Sequence, residues 1–94
     1  MIRYKKAKKE DKPLLIEMKL LTIVPYIKND NQKLKAIAYV NHFVSENYQD
    51  FILIYSLFKP VGIYLIKDKE LDTLFIQEKY RNKGIGSKVL NDVK

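Results

Sequence analysis

The stretch Leu74-Phe75-Ile76-Gln77-Glu78-Lys79-Tyr80-Arg81-Asn82-Lys83-Gly84-Ile85-Gly86-Ser87-Lys88-Val89-Leu90 decides how this chain is read. It runs from an apolar strand through a short basic loop and two glycines into the start of a helix. The first N–H groups of a helix have no partner within it, and its dipole is positive at that end. Glycine lets the backbone close around a bulky anion. Arg81 and Lys83 add positive charge at the rim. The stretch therefore reads as an anion cradle suited to a phosphate or pyrophosphate.

Two familiar phosphate loops do not fit. A Walker A loop needs glycine where Arg81 stands and lysine directly after Gly86, where Ser87 stands. The dinucleotide pattern needs glycine or alanine at Val89 and a parallel βαβ setting.

Working outward, residues 2–7 alternate as a short strand. Asp11 is placed to cap a helix with Pro13 in its first turn. Leu14, Leu15, Met18, Leu20 and Leu21 follow at helical spacing, and Pro25 sets the end. Lys28-Asn29-Asp30-Asn31 is a polar turn. A second helix is expected from about Gln32 to Ser45, on Leu34, Ile37, Val40, Phe43 and Val44. Phe51–Tyr55 and Val61–Ile66 are short apolar runs that suit strands, with turns at Lys59-Pro60 and Lys67-Asp68-Lys69. Leu71–Ile76 is the next strand, with Leu71, Thr73 and Phe75 on one face. In the last helix Ile85, Val89, Leu90 and Val93 form one apolar stripe. The order is β-α-α-β-β-β-α. The sequence stops at Lys94, a few residues into that helix, so the expectation is a single, incomplete domain over residues 1–94.

Composition narrows the classes of function. The chain has 94 residues, 47% of them hydrophobic, enough for one core. Cysteine is absent, which removes disulfides, thiolate nucleophiles and zinc–thiolate sites. His42 stands alone and cannot build a metal site. No apolar run reaches the ~18 residues a membrane span needs. The basic N-terminus lacks the apolar core of a signal peptide. A cytoplasmic protein is expected. The formal net charge of +7 favours anionic partners. Its arginines are Arg3 and Arg81, the other cations being lysines. Base reading leans on arginine, so Lys5, Lys6, Lys8, Lys9 and Lys12 read as a solvated face, and no nucleic-acid partner is expected.

Arg81-Asn82-Lys83-Gly84-Ile85-Gly86 resembles the Arg/Gln-x-x-Gly-x-Gly/Ala loop of the GNAT superfamily of N-acetyltransferases. The strand before it, the helix after it and the strand–helix–helix start also resemble that family. The resemblance implies an α+β fold with a mixed sheet, interrupted here after the start of the third helix. It implies an acetyl-CoA-dependent transfer of acetyl to a primary amine, on a small molecule or a protein. In the family, the pantetheine arm bonds the backbone of the fourth strand, which maps to Phe75, Ile76 and Gln77. The pyrophosphate sits on loop amides, which map to Arg81, Asn82, Lys83, Gly84, Ile85, Gly86 and Ser87. Glu78 is a departure, since many members have proline or a small residue there, and a carboxylate beside a polyanion weakens binding slightly unless it points away.

The amine must lose a proton and the oxyanion needs a donor. Glu70 sits where one branch of the family places a glutamate base, and Asp72 follows two residues on, facing the same way. Both also read as solvated turn carboxylates. A backbone N–H near Ile76 is the expected oxyanion donor. In many members a tyrosine protonates the leaving thiolate from a helix after the fifth strand. The sequence has 7 tyrosines, none in that position, and Tyr80 belongs to the loop. A module that holds CoA without chemistry is the competing reading. The open edge of Leu71–Ile76 and the stripe of the last helix predict a homodimer.

Overall fold

The computed structural model describes residues 2–93. Lys94, expected within the last helix, lies outside them. Four strands form one sheet in the order β1-β2-β3-β4, every pair antiparallel. They are β1 (Ile2–Lys6), β2 (Phe51–Ser56), β3 (Lys59–Lys67) and β4 (Glu70–Ile76). Between β1 and β2 run α1 (Lys12–Ile23) and α2 (Asp30–Asn47), and α3 (Ile85–Asp92) follows β4. This is the expected element order and the expected α+β class. The mixed character implied by the resemblance would enter only at the outer edge of β4, which has no neighbour among the described residues.

Helices cover both faces of the sheet. Leu15 and Met18 of α1 and Val40 and Val44 of α2 are fully buried on one face, against Phe51, Leu53, Ile63, Leu65 and Phe75. On the other face Ile85 and Val89 of α3 pack on Ile54, Val61 and Ile76. Alternation along the strands sends neighbouring apolar residues to opposite cores, which is why β2 and β3 read as continuous apolar runs. The stripe of α3 is thus covered within the chain rather than bare. Leu90, expected in that stripe, lies outside it and is 44% exposed. At about 1.5–3 kcal/mol for each buried side chain, α3 is the more lightly held layer.

A polar clamp supplements that packing. The Tyr4 hydroxyl on β1 donates to Asp92 Oδ2 near the end of α3. Lys88 Nζ pairs with the same oxygen at 3.0 Å. The Tyr4 ring meets Tyr64 of β3 edge to face, with centroids 5.8 Å apart. The Tyr4 hydrogen bond, then Lys88, holds the Asp92 carboxyl below its usual range, while burial and Asp92 push the Tyr4 hydroxyl up.

Local chemistry moves several boundaries. Asn29 caps α2, its Oδ1 accepting from Gln32 N at 2.8 Å, while Gln32 Oε1 accepts from Lys28 N at 2.8 Å. This reciprocal cap starts the helix at Asp30, ahead of the expected Gln32. Asp11 precedes α1 but makes no side-chain bond to its first turn. Its Oδ2 instead accepts from Lys8 N at 2.8 Å. The β2–β3 turn falls at Leu57-Phe58, not at Lys59-Pro60, which belong to β3. Leu57 takes φ 57° there, a conformation no apolar side chain announces. Asp68 and Lys69, at φ 53° and 67°, make the β3–β4 turn as expected. Both left-handed values suit a tight hairpin.

Two register steps shape the sheet. Ile54 faces Gly62 while Tyr55 faces Pro60, so Val61 is the extra residue in β3. Leu65 faces Thr73 while Ile66 faces Leu71, so Asp72 is the extra residue in β4. The second step ends the simple alternation that put Glu70 and Asp72 on one side. Gly62, opposite Ile76, is a close-approach glycine. A Cβ there would stand 2.2 Å from Phe75 O and 2.9 Å from Ile76 Cδ1. Only the missing side chain lets β3 and the end of β4 come this near.

Two outcomes are expected. Gly62→Ala lowers stability in urea unfolding by about 1–3 kcal/mol, the usual cost of overpacking; an unchanged midpoint would contradict the close approach. Asp92 has a depressed folded pKa, so its contribution is present above its unfolded value of 3.8 and is lost as pH falls through the folded one. Asp92→Asn is therefore less stable than the parent at pH 7, and the gap closes on acidification. A gap that stays constant with pH would refute the clamp.

Candidate functional site

The end of β4 and the start of α3 build the site. Gln77 N donates to Val61 O at 2.8 Å. Ladder alternation then turns the N–H and C=O of Ile76 toward the open edge. A 3₁₀ turn, Glu78–Tyr80, carries the chain away from the strand. It is closed by Tyr80 N to Gln77 O at 2.9 Å and Arg81 N to Glu78 O at 3.1 Å.

Next comes a pair of left-handed residues, Asn82 at φ 64° and Gly84 at φ 80°. Gly84 is the N-cap of α3, its O accepting from Lys88 N at 3.0 Å. Left-handed residues set into such a loop aim successive N–H groups toward one side. From Asn82 to Ser87, no backbone N–H finds a partner among the described residues. No side chain caps α3 either. A hollow of about 250 Å³ lies at this point, lined by Ile76, Arg81, Asn82, Gly84, Gly86 and Ser87. A Cβ at Gly86 would meet nothing within 4 Å. Free donors, a helix N-terminus and open space together suit an anion.

Six of the residues read as cofactor-binding thus line one hollow. Phe75 and Gln77 line the groove beside it. Ile85 is buried in the α3 core. The Lys83 ammonium stands 5.9 Å from the centre of the Tyr80 ring. Arg81 differs from the expectation of a charge at the rim. Its Nε donates to Ile76 O at 2.8 Å, and its guanidinium lies 5.5 Å from the centre of the Phe75 ring. The side chain folds back and ties the loop to the end of β4.

The groove holds about 810 Å³. Leu21, Val24 and Pro25, at the end of α1 and just beyond it, form one wall, and Phe75 of β4 another. Gln77, Glu78, Lys79 and Arg81 supply its polar part. Glu78, the departure from the loop pattern, therefore lines this groove and not the anion hollow.

Glu70 and Asp72 are exposed near the opposite end of β4. At about 3.4 Å per residue, they lie roughly 20 Å and 14 Å along the strand from Ile76. Asp72 joins a polar cluster that the linear sequence did not reveal. Lys19 Nζ donates to Thr73 Oγ1 at 2.8 Å, and Thr73 Oγ1 donates to Asp72 Oδ2 at 3.2 Å. Thr73 is a buried polar residue. Burial pushes the Lys19 pKa down, and the Asp72 charge offsets part of that. A lysine two residues before Leu21, inside an otherwise apolar stripe, was the available signal. His42 is exposed on α2. Among the described residues no group of acidic or histidine side chains is placed to hold a metal, and no helix is long and apolar enough to cross a membrane.

No family model matches the sequence, and no curated protein matches it. Solved structures do match. The apo form of YjaB from Escherichia coli superposes with a TM-score of 0.72 at 15% identity, over 99% of this chain and 64% of that one. The PaiA N-acetyltransferase from Thermoplasma acidophilum, in complex with coenzyme A, superposes with a TM-score of 0.65 at 21% identity, over 98% of this chain and 69% of that one. An acetyltransferase of the GNAT family from Staphylococcus aureus gives 0.59 at 23% identity, over 99% of this chain and 64% of that one. The chain thus spans about two thirds of the length of these structures. From its first strand to the helix after its fourth, it has the fold of the GNAT acetyltransferases.

Proposed function

We propose that this chain binds acetyl-CoA on the Arg81–Ser87 loop and serves an N-acetyltransferase that moves acetyl to a primary amine. The observation that carries this reading is the run of N–H groups from Asn82 to Ser87 without partners among the described residues, with Asn82, Gly84, Gly86 and Ser87 lining one hollow. A pyrophosphate would be held by these amides and the positive end of α3. Phe75, Ile76 and Gln77 present the strand along which a pantetheine arm would lie. When bound, acetyl-CoA supplies the thioester that the amine attacks. The chain's own part is to hold the anion, to offer the outward N–H of Ile76 to a developing oxyanion, and to seat the amine. Asp72 and Glu70 are the carboxylates proposed to take the amine proton, through water given their distance. A cytoplasmic location and pairing of two copies through the open edge of β4 complete the proposal.

A second reading is favoured by one observation. Both carboxylates stand far along β4 from Ile76, and no tyrosine hydroxyl lines the hollow. A module that holds CoA without turning it over would look the same.

Isothermal titration with acetyl-CoA, with adenosine as the ligand lacking pyrophosphate, tests the cradle. Saturable binding not shared by adenosine is expected. Gly86→Leu, larger than the glycine or alanine that the loop pattern admits, should keep the fold within about 1 kcal/mol, since open space surrounds its Cβ, yet weaken acetyl-CoA by filling the hollow. Equal binding of adenosine, or an unaffected Gly86→Leu, overturns the proposal. Release of CoA thiol on adding an amine separates enzyme from module.

A further inference from the structure

The groove beside the cradle narrows the class of acceptor, an inference that rests on the acetyl-transfer reading. Its walls are Leu21, Val24, Pro25 and Phe75. None of these side chains can donate or accept a hydrogen bond. A polyhydroxylated molecule placed there would lose water from its hydroxyls and gain no partner, at a cost of about 1–3 kcal/mol for each buried group. An alkyl or aryl body loses nothing comparable. At about 810 Å³ the groove lies within the range of small-molecule sites.

The charges at its polar part are not equivalent. Arg81 is committed to Ile76 O and the face of Phe75. The Lys79 ammonium stands 5.3 Å from the centre of the Tyr80 ring. The Glu78 carboxylate has neither a hydrogen bond nor an ion pair among the described residues. With an anion in the neighbouring hollow, the field of Lys79 and Arg81 is offset, and Glu78 is the carboxylate that lines the groove. We propose that the acceptor is a small primary amine on an apolar body, its ammonium drawn to Glu78 and its body laid on Leu21, Val24 and Phe75. Glu78 then breaks the family's loop pattern because it serves the other ligand. It is a positioning residue, and it sets specificity.

The test uses the isotopically labelled chain and three probes followed by amide shifts. They are 2-phenylethylamine, its uncharged match 2-phenylethanol, and glucosamine as a polyhydroxylated amine. The amine should shift Leu21, Val24, Phe75 and Glu78 saturably. The alcohol should bind the same residues about two- to five-fold more weakly, the range for an exposed ion pair. Glucosamine should leave them unmoved. Glu78→Gln should bring the amine down to the affinity of the alcohol while leaving acetyl-CoA binding as it was. Glucosamine binding as well as 2-phenylethylamine, or an amine affinity indifferent to Glu78→Gln, overturns the proposal. Acetyl-CoA added to the same sample separates the two ideas. If it fails to shift Asn82–Ser87 while the amine still binds, the transfer reading falls and the groove remains an amine site. If acetyl-CoA binds and the amine does not, the groove assignment falls alone.

Discussion

The close approach of β3 to the end of β4, with Gly62 beneath Phe75 and Ile76, governs the geometry of the whole site. It fixes where the last strand stops and which way its backbone faces. Gln77 N, bound to Val61 O, completes the inward side of the ladder. Ile76 is left facing out. Arg81 then reaches back to the outward carbonyl of Ile76, and the loop is set at a defined height above the strand end. A tie of this kind uses the planar guanidinium of arginine, which both donates a directed bond and lies over a ring. A lysine in its place would give up one of the two.

The two faces of the sheet divide the work. One carries α1 and α2 over a core of fully buried side chains, and its rim at Leu21, Val24 and Phe75 opens into the groove. The other carries α3, whose first turn faces the anion hollow. Fewer apolar groups hold α3 down, and the Tyr4–Asp92–Lys88 clamp makes up part of the difference. The helix that carries the cradle at its start is thus also tied to β1 at its far end, through Tyr4 and Asp92. Arg81 borders both spaces, so an anion in one and an amine in the other would meet across it.

Much of this was legible in the residues, for identifiable reasons. Pro13 and Pro25 bracket α1, the apolar runs mark β2 and β3, and Gly84 with Gly86 announces the turn into α3. Each is a local signal. The misplaced features depend on strand register or on partners that a linear motif does not show. The turn at Leu57-Phe58 is set by strand register and puts a leucine at positive φ, so no turn residue flags it. The Lys19–Thr73 pair forms only once α1 lies across β4. Arg81 read as a charge for the ligand because its carbonyl partner cannot be seen in a linear motif. Glu78 read as a flaw in the loop, since the sequence does not reveal that the turn of Glu78–Tyr80 directs it to a different cavity.

The proposed function stands or falls with the backbone N–H groups of Asn82–Ser87, free in the chain alone, acting as donors to a bound pyrophosphate. Residue-resolved amide hydrogen exchange, with and without CoA, measures this directly. These amides should exchange fast in the free chain and be selectively slowed by CoA. Those of the lysine-rich segment around Lys5–Lys12 should be unchanged. Unaltered exchange at Asn82–Ser87 under saturating CoA, or protection confined to the lysine-rich segment, would contradict it.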